Sequence, residues 1–309
     1  MTTSNFRYID RDSYVDSDVA FVKPWGKVDG PGYSFKLSDH ERAVEDIRGQ
    51  ESKFSTDTSG FAVYEYPAQE KAFTDESKVR EEYYAEVEAV LRKKLPGIKK
   101  VVIFDHTIRR REKASPRQPV QQVHVDQTPG AAEVRVRRHL PADEAEELLK
   151  GRYQIINVWR PIANPASDYP LAVIDWRTTK PADFVKIDLL YPKREATNGT
   201  NGTNGTHDDD DRGKEVAPDP NSASSTVGYE VKGETYAVAP SDDHKFYYMK
   251  DMTPEEVMFI KCFDSFSQVN GGKKGLADCT PHTAFVDPQT PADAPGRQSI
   301  EVRCLVFYE

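Results

Sequence analysis

The sequence predicts a mainly β protein with α-helices packed on the outside of its sheets. Residues 120–127 and 297–308 alternate apolar and polar side chains, as half-buried strands do. Three apolar runs at 153–159, 171–176 and 184–191 are also typical of strands, whereas only residues 76–95 and 131–150 have strong helical character. The 309 residues suffice for one large β domain or two smaller ones.

Charge and cysteine content restrict the kinds of partner and compartment. The chain has a net charge of −9 and no basic face, which argues against nucleic acid. No run is long and apolar enough to span a bilayer, and residues 1–8 lack the apolar core of a signal peptide, so we expect a cytoplasmic protein. The three cysteines have no paired spacing and are predicted to be buried free thiols.

Residues 1–98 are predicted to form an N-terminal extension, and residues 99–309 the core. Within the extension we expect a short helix at 39–47, a strand at 61–66 and a long helix at 76–95 that ends at Pro96-Gly97 and braces the sheet. The core begins with a strand at 99–110, in which Asp105 and His106 are adjacent, face opposite ways and are expected to be structural. The basic run at 109–113 is expected to be a solvated turn, and the alternative is that it lies near an acidic substrate.

Two stretches carry candidate metal ligands. In the strand 120–127, Gln122, His124 and Asp126 share one face, although a surface strand with solvated polar groups remains the alternative. A second histidine, His282, precedes the strand 297–308. Two histidines and one carboxylate form the facial triad of non-haem Fe(II) oxygenases, which leaves the opposite positions of the metal open.

The strand 297–308 adds a candidate anion site. Arg297 and Ser299 are two residues apart and share one face, so together they can grip a carboxylate by charge-assisted hydrogen bonds. Glu301 and Arg303 face the same way; we favour an ion pair between them, and the alternative is that Arg303 reaches the bound anion. Gln122, Trp159 and Arg160 are candidates for the wall of a substrate pocket, although a strand tryptophan is more often core and Arg160 can be an ion-pair partner.

Other histidines and a low-complexity insertion are given no catalytic role. His244 is the main rival of His282 but lies too far upstream of the Arg297 strand, and His139 sits at a helix break between the segments that meet at Pro141. Residues 193–228 contain three Asn-Gly-Thr units and an Asp run, and they predict a disordered surface loop that interrupts the core.

The order H-x-D, distant His, R-x-S resembles the Fe(II)/2-oxoglutarate oxygenases. Several further segments are similar to a mostly fungal family that contains the gibberellin desaturase, a cephamycin methoxylation protein and oxygenases of meroterpenoid clusters. These segments are residues 154–161, 251–257, 261–265, 281–285 and 299–308. The resemblance implies a double-stranded β-helix (jelly-roll, cupin-like) core, Fe(II) held by His124, Asp126 and His282, and 2-oxoglutarate held by Arg297 and Ser299.

The same resemblance implies oxidation of a C–H bond of a secondary metabolite, in the terpenoid or meroterpenoid class, by O₂. Hydroxylation, desaturation and endoperoxide formation stay open, as does a homodimer. Two other functions also remain: a hydrolase that holds Zn²⁺ with the same three ligands, and a non-catalytic barrel that binds a metabolite. The hydrolase leaves the Arg297 and Ser299 pair without a task, and the barrel leaves the intact set of polar residues unexplained.

Overall fold

The computed structural model describes residues 1–28, 32–111, 119–193 and 222–309. Its strands fall into two sheets, one of nine strands and one of five. They are β1 (Thr2–Ile9), β2 (Trp25–Lys27), β3 (Leu37–Asp46), β4 (Phe61–Glu65), β5 (Ile98–Arg110), β6 (His124–Val125), β7 (Tyr153–Pro161), β8 (Leu171–Ile174), β9 (Phe184–Pro192), β10 (Tyr229–Val238), β11 (Phe246–Tyr248), β12 (Glu256–Asp264), β13 (His282–Ala284) and β14 (Gln298–Tyr308).

The strand order confirms the mainly β class and the double-stranded β-helix. The larger sheet runs β1-β3-β11-β8-β13-β6-β10-β9-β2, and the smaller runs β4-β12-β7-β14-β5. Apart from β9 and β10, neighbouring strands in the sheets are not consecutive in the chain, as in the antiparallel pairs β14 with β5 and β14 with β7. These long-range pairs bring residues from near 105, 157 and 303 onto one surface, which is where the polar side chains of the site lie.

The predicted bracing helix covers the outer face of the smaller sheet. It is α-helical at Glu76–Lys78 and Tyr84–Lys94, with a π-helical turn at Val79–Tyr83 between them. The Asp75 side chain accepts hydrogen bonds from the first backbone N–H groups, which caps the helix. Apolar helix residues pack with apolar residues of β7, β12 and β14 in one buried cluster, and each contributes about 1.5–3 kcal/mol by burial.

Two more helices follow the β6 strand, and both match the prediction for residues 131–150. The first is Pro129–His139, where Thr128 accepts a hydrogen bond from the N–H of Ala131 and Pro129 occupies the first turn. The second is Ala142–Leu148, directly after Pro141. Ala132, Val136, Ala145 and Leu148 are buried against the cluster that contains Val125, so these helices fix the chain just after the H-x-D segment.

Two predictions about local structure are wrong. Residues 39–47 do not form a helix, since residues 37–46 are the strand β3, paired antiparallel to β1 from Thr2↔Val44 to Ile9↔Leu37. Pairing with a distant partner overrides the weak local helical pattern. The strand predicted at 120–127 is regular only at His124–Val125, although Gln122 makes an isolated bridge to Arg7.

The remaining predictions concern segments and compartment. Strands β1 to β4 of residues 1–98 pair within both sheets, and a domain boundary at residue 98 stays a prediction. The predicted insertion joins β9 to β10, and its residues 194–221 lie outside the described residues, as do residues 112 and 113 of the basic run. Cys262, Cys279 and Cys304 are free and buried, as predicted. Within the described ranges, no helix has the length and apolar character needed to cross a membrane.

Candidate metal and co-substrate site

The structure brings His124, Asp126 and His282 together. His124 on β6 and His282 on β13 are direct partners across an antiparallel pair, and their ring centroids are 4.5 Å apart. Asp126 follows two residues after His124, and one ligand atom from each of the three residues lies within 4.8 Å of the others. The larger sheet therefore places two imidazoles and one carboxylate at a single point, although 158 residues separate the two histidines.

Both histidines have one ring nitrogen fixed by the backbone. Nδ1 of His124 lies 2.7 Å from the carbonyl oxygen of Gln122, and Nδ1 of His282 lies 3.0 Å from that of Thr280. A carbonyl only accepts, so each Nδ1 carries a proton and each Nε2 is the ring nitrogen left available to a metal. Burial lowers the pKa of His282, with the His124 ring adding to the effect, which favours the neutral, metal-binding form.

The Asp126 carboxylate is held from one side. Its Oδ2 accepts hydrogen bonds from Asn157 Nδ2 at 2.8 Å and from Arg303 Nε at 3.0 Å, while Oδ1 lies 3.4 Å from Nε2 of His124. Burial alone would raise the pKa of Asp126, but the Arg303 guanidinium and the two histidines outweigh it and hold this pKa well below its usual range. Asp126 is therefore an anion whose Oδ1 faces the histidine nitrogens.

This donor set fits a divalent metal of the Fe(II) type. The three donors are two imidazole nitrogens and one carboxylate oxygen, and each is oriented by a hydrogen bond through its other polar atom, as metal ligands usually are. His124 and Asp126 keep 19% and 15% of their side-chain surface exposed. A metal held here would thus be reachable by a small molecule from that side.

Arg303 is the centre of a buried ion-pair network beneath Asp126. Its guanidinium donates to Asp105 at 2.9 Å, to Glu301 at 2.6 Å and to Thr107 at 3.2 Å, besides its bond to Asp126. The predicted Arg303–Glu301 ion pair is confirmed. Asp105 has the structural role expected of it, because β5 pairs with β14 in the register Arg303↔Asp105.

Arg297 is a buried cation at the other end of the same strand. Its side chain donates from Nη1 to the carbonyl oxygen of Tyr169 at 2.7 Å, and its guanidinium lies 5.7 Å from the Trp159 ring. The residue is 3% exposed, and its backbone N–H donates to Oδ2 of Asp168 at 3.1 Å. Within the described ranges, no carboxylate lies at ion-pair distance from its guanidinium. Its Nε is buried with no hydrogen-bond partner among the described residues. Burial, reinforced by Arg109, lowers the pKa of Arg297.

These properties fit the binding of an anion. A desolvated guanidinium without a carboxylate partner is unfavourable unless a negatively charged group joins it. Ser299, two residues along β14, is 1% exposed and pairs with Arg109 and Pro161 on the adjacent strands. Arg297 and Ser299 thus lie where the chain enters β14, and Arg303 lies further along the same strand.

The three candidate substrate-binding residues lie in different places. Trp159 pairs with Glu301 across β7 and β14, and its ring is near Arg297, so it lies beside the anion site. Arg160 points to the opposite face, where it donates to the carbonyl of Pro254 at 3.2 Å and lies over the Tyr83 ring, away from the triad. Gln122 acts on the triad through its backbone carbonyl, which orients His124.

The histidines set aside from the sequence are engaged elsewhere. His244 lies between Tyr8 and Asp183, at 3.1 Å from each, and is not in the cluster with His124. His106 lies 2.8 Å from the Tyr84 hydroxyl, and His139 stacks on Phe104. The choice of His282 over His244 agrees with the geometry.

Asn157 and the link from Arg303 to Asp126 were not predicted. The strand pattern places Asn157 and Trp159 on one face of β7, and Arg303 on the inward face of β14. It does not say that β7 and β14 are neighbours in the register Arg303↔Asn157, and only that register brings both side chains to Asp126.

Comparisons with known proteins agree with this site. A family model described as "Oxidoreductase/YMDC permease-like domain" matches residues 8–209 and 214–307. The hydroxylase/desaturase efuI of Hormonema carpetanum is 32% identical over 290 residues, which cover 89% of this chain and 85% of that protein. The Fe(II)/2-oxoglutarate-dependent dioxygenase nvfI of Aspergillus novofumigatus is 28% identical over 314 residues, covering 96% and 97%.

A solved structure supports the same grouping. The iron and alpha-ketoglutarate-dependent endoperoxidase NvfI superposes with a TM-score of 0.73 at 26% sequence identity, and the match covers 99% of this chain and 97% of that one. The structural match and the sequence relatives thus both cover nearly the whole chain, and both point to the same kind of enzyme. The chain therefore belongs to the fungal Fe(II)/2-oxoglutarate-dependent oxygenase family that includes these hydroxylase/desaturases and the NvfI endoperoxidase.

Proposed function

We propose that this protein oxidises a C–H bond of a secondary metabolite with Fe(II), 2-oxoglutarate and O₂. The observation that carries the proposal is a two-histidine, one-carboxylate cluster in the same barrel as Arg297, whose buried guanidinium has no carboxylate at ion-pair distance among the described residues. The cluster alone would also suit Zn²⁺ hydrolysis. A co-substrate with its own carboxylate would give the Arg297 guanidinium the negatively charged partner that it lacks among the described residues.

His124, Asp126 and His282 hold the iron through Nε2, Oδ1 and Nε2, the atoms left free by their other hydrogen bonds. When bound, Fe(II) with 2-oxoglutarate and O₂ supplies an oxidant for C–H bonds, with CO₂ and succinate as co-products. Arg297 binds the distal carboxylate of 2-oxoglutarate, and Ser299 adds a hydroxyl donor beside it. The buried guanidinium orients the co-substrate and compensates its charge in a site of low dielectric.

The substrate is a small molecule of the terpenoid or meroterpenoid class. Relatives with names such as hydroxylase/desaturase efuI support oxidation of a secondary metabolite, and the endoperoxidase NvfI adds endoperoxide formation as a third outcome. Trp159, beside the anion site, and Gln122, next to the triad, line the substrate side. Which product forms depends on how these groups position the reacting carbon.

The protein acts in the cytoplasm. Its free cysteines, all buried, suit a reducing compartment.

Anaerobic titration with Fe(II) and then 2-oxoglutarate tests the proposal. Wild-type protein should develop a weak visible charge-transfer band, and His124→Ala should lose it. His40→Ala is the matched control, because His40 lies on β3 beside Ser38 and is not part of the triad. Absence of the band, together with tight Zn²⁺ binding and hydrolysis of ester or amide substrates, would instead establish a hydrolase.

A further inference from the structure

Asp126 is held as if one of its oxygens must be kept from the metal. Two donors, Asn157 Nδ2 and Arg303 Nε, converge on Oδ2 at 2.8 and 3.0 Å. The structure shows no equivalent donor from these residues on Oδ1, which lies toward His124. A carboxylate can bind a metal through one oxygen or through both, and hydrogen bonds to one oxygen favour the first mode.

Both donors are fixed in place. Asn157 is fully buried on β7, and its amide must point Nδ2 toward Asp126, since the reverse orientation would set two oxygens against each other. Arg303 is 4% exposed, and its remaining nitrogens are bonded to Asp105, Thr107 and Glu301. Arg303 is held by these bonds if the Asp126 carboxylate turns, whereas Asn157 is confined by burial, since its Oδ1 has no hydrogen-bond partner among the described residues. The position of Oδ2 is therefore set by the smaller sheet, while the imidazoles come from the larger one.

We propose that Arg303 and Asn157 are positioning residues that hold Asp126 as a one-oxygen ligand and so keep open a coordination position that 2-oxoglutarate requires. This inference rests on the proposed function. Three protein ligands leave room for a co-substrate that binds through two atoms and for O₂. A second oxygen from Asp126 would occupy one of those positions, and it would do so without weakening the hold on the metal.

Arg303 also balances charge, and the test has to separate the two effects. Its guanidinium touches three carboxylates, those of Asp105, Asp126 and Glu301. Replacement by a neutral residue would leave the site more negative and would repel 2-oxoglutarate for that reason alone. Arg303→Lys keeps the charge but loses the planar fork that reaches several oxygens at once. Asn157→Ala removes one donor with no change of charge.

The experiment compares Fe(II) and 2-oxoglutarate affinities for wild type, Arg303→Lys, Asn157→Ala and the double variant. Fe(II) binding is measured by anaerobic titration, and 2-oxoglutarate binding by the visible band of the metal-saturated protein. Each single variant should weaken 2-oxoglutarate binding by about tenfold, which is the free energy of about one hydrogen bond, and the double variant by more. Fe(II) affinity should fall less than this, because a second Asp126 oxygen on the metal would replace the lost support. Absorption of the Co(II)-substituted variants, before any 2-oxoglutarate is added, should show a changed coordination number.

Arg152→Lys serves as the matched control. Arg152 is a half-buried partner of the buried Asp264 on another part of the barrel, and its replacement should leave both affinities unchanged. Loss of Fe(II) affinity with 2-oxoglutarate binding intact on the loaded variants, or no change in either, would overturn the inference. A wild-type protein that never forms the band would instead refute the proposed function, so the two failures are distinguishable.

Discussion

Two arginines of this barrel, the buried Arg297 and the half-buried Arg152, should respond differently when each is replaced by methionine. The Arg297 guanidinium is buried with one carbonyl acceptor, that of Tyr169, and no carboxylate at ion-pair distance among the described residues. Arg152 donates to Asp264 at 2.7 Å and to Asp57 at 2.8 Å. If Arg297 binds an anion, Arg297→Met should strongly weaken 2-oxoglutarate binding. If Arg152 stabilises the fold, Arg152→Met should lower the free energy of unfolding.

The magnitudes follow from these contacts. Arg297→Met loses the bond to Tyr169 but also removes an uncompensated buried charge, so the free energy of unfolding should change by less than about 1 kcal/mol. Two hydrogen bonds from a charged group to the co-substrate are each worth about 1.5–3 kcal/mol, which predicts a loss of 2-oxoglutarate affinity of about 10²–10⁴-fold. Arg152→Met leaves the fully buried Asp264 with one partner fewer, which should cost about 2–4 kcal/mol.

Urea unfolding and 2-oxoglutarate titration of the Fe(II)-loaded variants measure both quantities on the same samples. Fe(II) affinity should be unchanged in Arg297→Met, because the residue does not contact His124, Asp126 or His282. Equal losses of Fe(II) and 2-oxoglutarate binding would contradict the assigned role. So would a fall in stability of Arg297→Met as large as that of Arg152→Met, since that result would make Arg297 a structural cation.

Three further predictions concern the fold. Burial, assisted by Arg135 and Arg138, lowers the pKa of His139 from 6.5 to about 4, so its neutral form stabilises the fold above pH 6.5 and that stability is lost as the pH falls toward 4. The loss should be about 1–2 kcal/mol after allowance for partial exposure, and His139→Phe should remove it from the pH dependence of urea unfolding. Gly60→Ala should destabilise by about 2–4 kcal/mol, against about 1–2 for Gly49→Ala. Both glycines have positive φ, but only at Gly60 would the added methyl meet Thr280 Oγ1, at 2.2 Å, so equal urea midpoints would contradict the clash. Burial raises the pKa of the three thiols, those of Cys262, Cys279 and Cys304, well above the usual value. A thiol reagent at pH 8 should therefore label them only after unfolding. Rapid labelling of the native protein would show that these thiols are not packed as described.

Two pairs of candidate site residues can be predicted from the sequence because the members of each pair are only two positions apart. H-x-D places His124 and Asp126 together through strand geometry, and R-x-S does the same for Arg297 and Ser299. The approach of His282 to His124 is not local, and it followed from the family resemblance. The structure supplies the cause, which is the pairing of β13 with β6 in the register His282↔His124.

Local pattern failed where a distant partner decides the outcome. Residues 39–47 show no strong alternation of apolar and polar side chains, yet most of them form β3 because they pair with β1, at eight positions in all. Because Trp159 and Arg160 are neighbours in sequence, the local pattern suggests that both line the same substrate pocket. Successive residues of a strand point to opposite faces, and Arg160 accordingly lies against Tyr83 beneath the bracing helix.

One strand connects the two ends of the site. β14 begins next to Arg297 and Ser299 and carries Arg303 further along, and it is paired with β5 on one side and β7 on the other. At about 3.3 Å per residue, Arg303 lies roughly 13 Å from Ser299 along the strand. Because both edges of β14 are hydrogen-bonded over this length, the anion site and the group that fixes Asp126 cannot shift independently. The separation between Arg297 and Arg303 is thus set by the backbone of a central strand, whereas the two histidines enter from the other sheet.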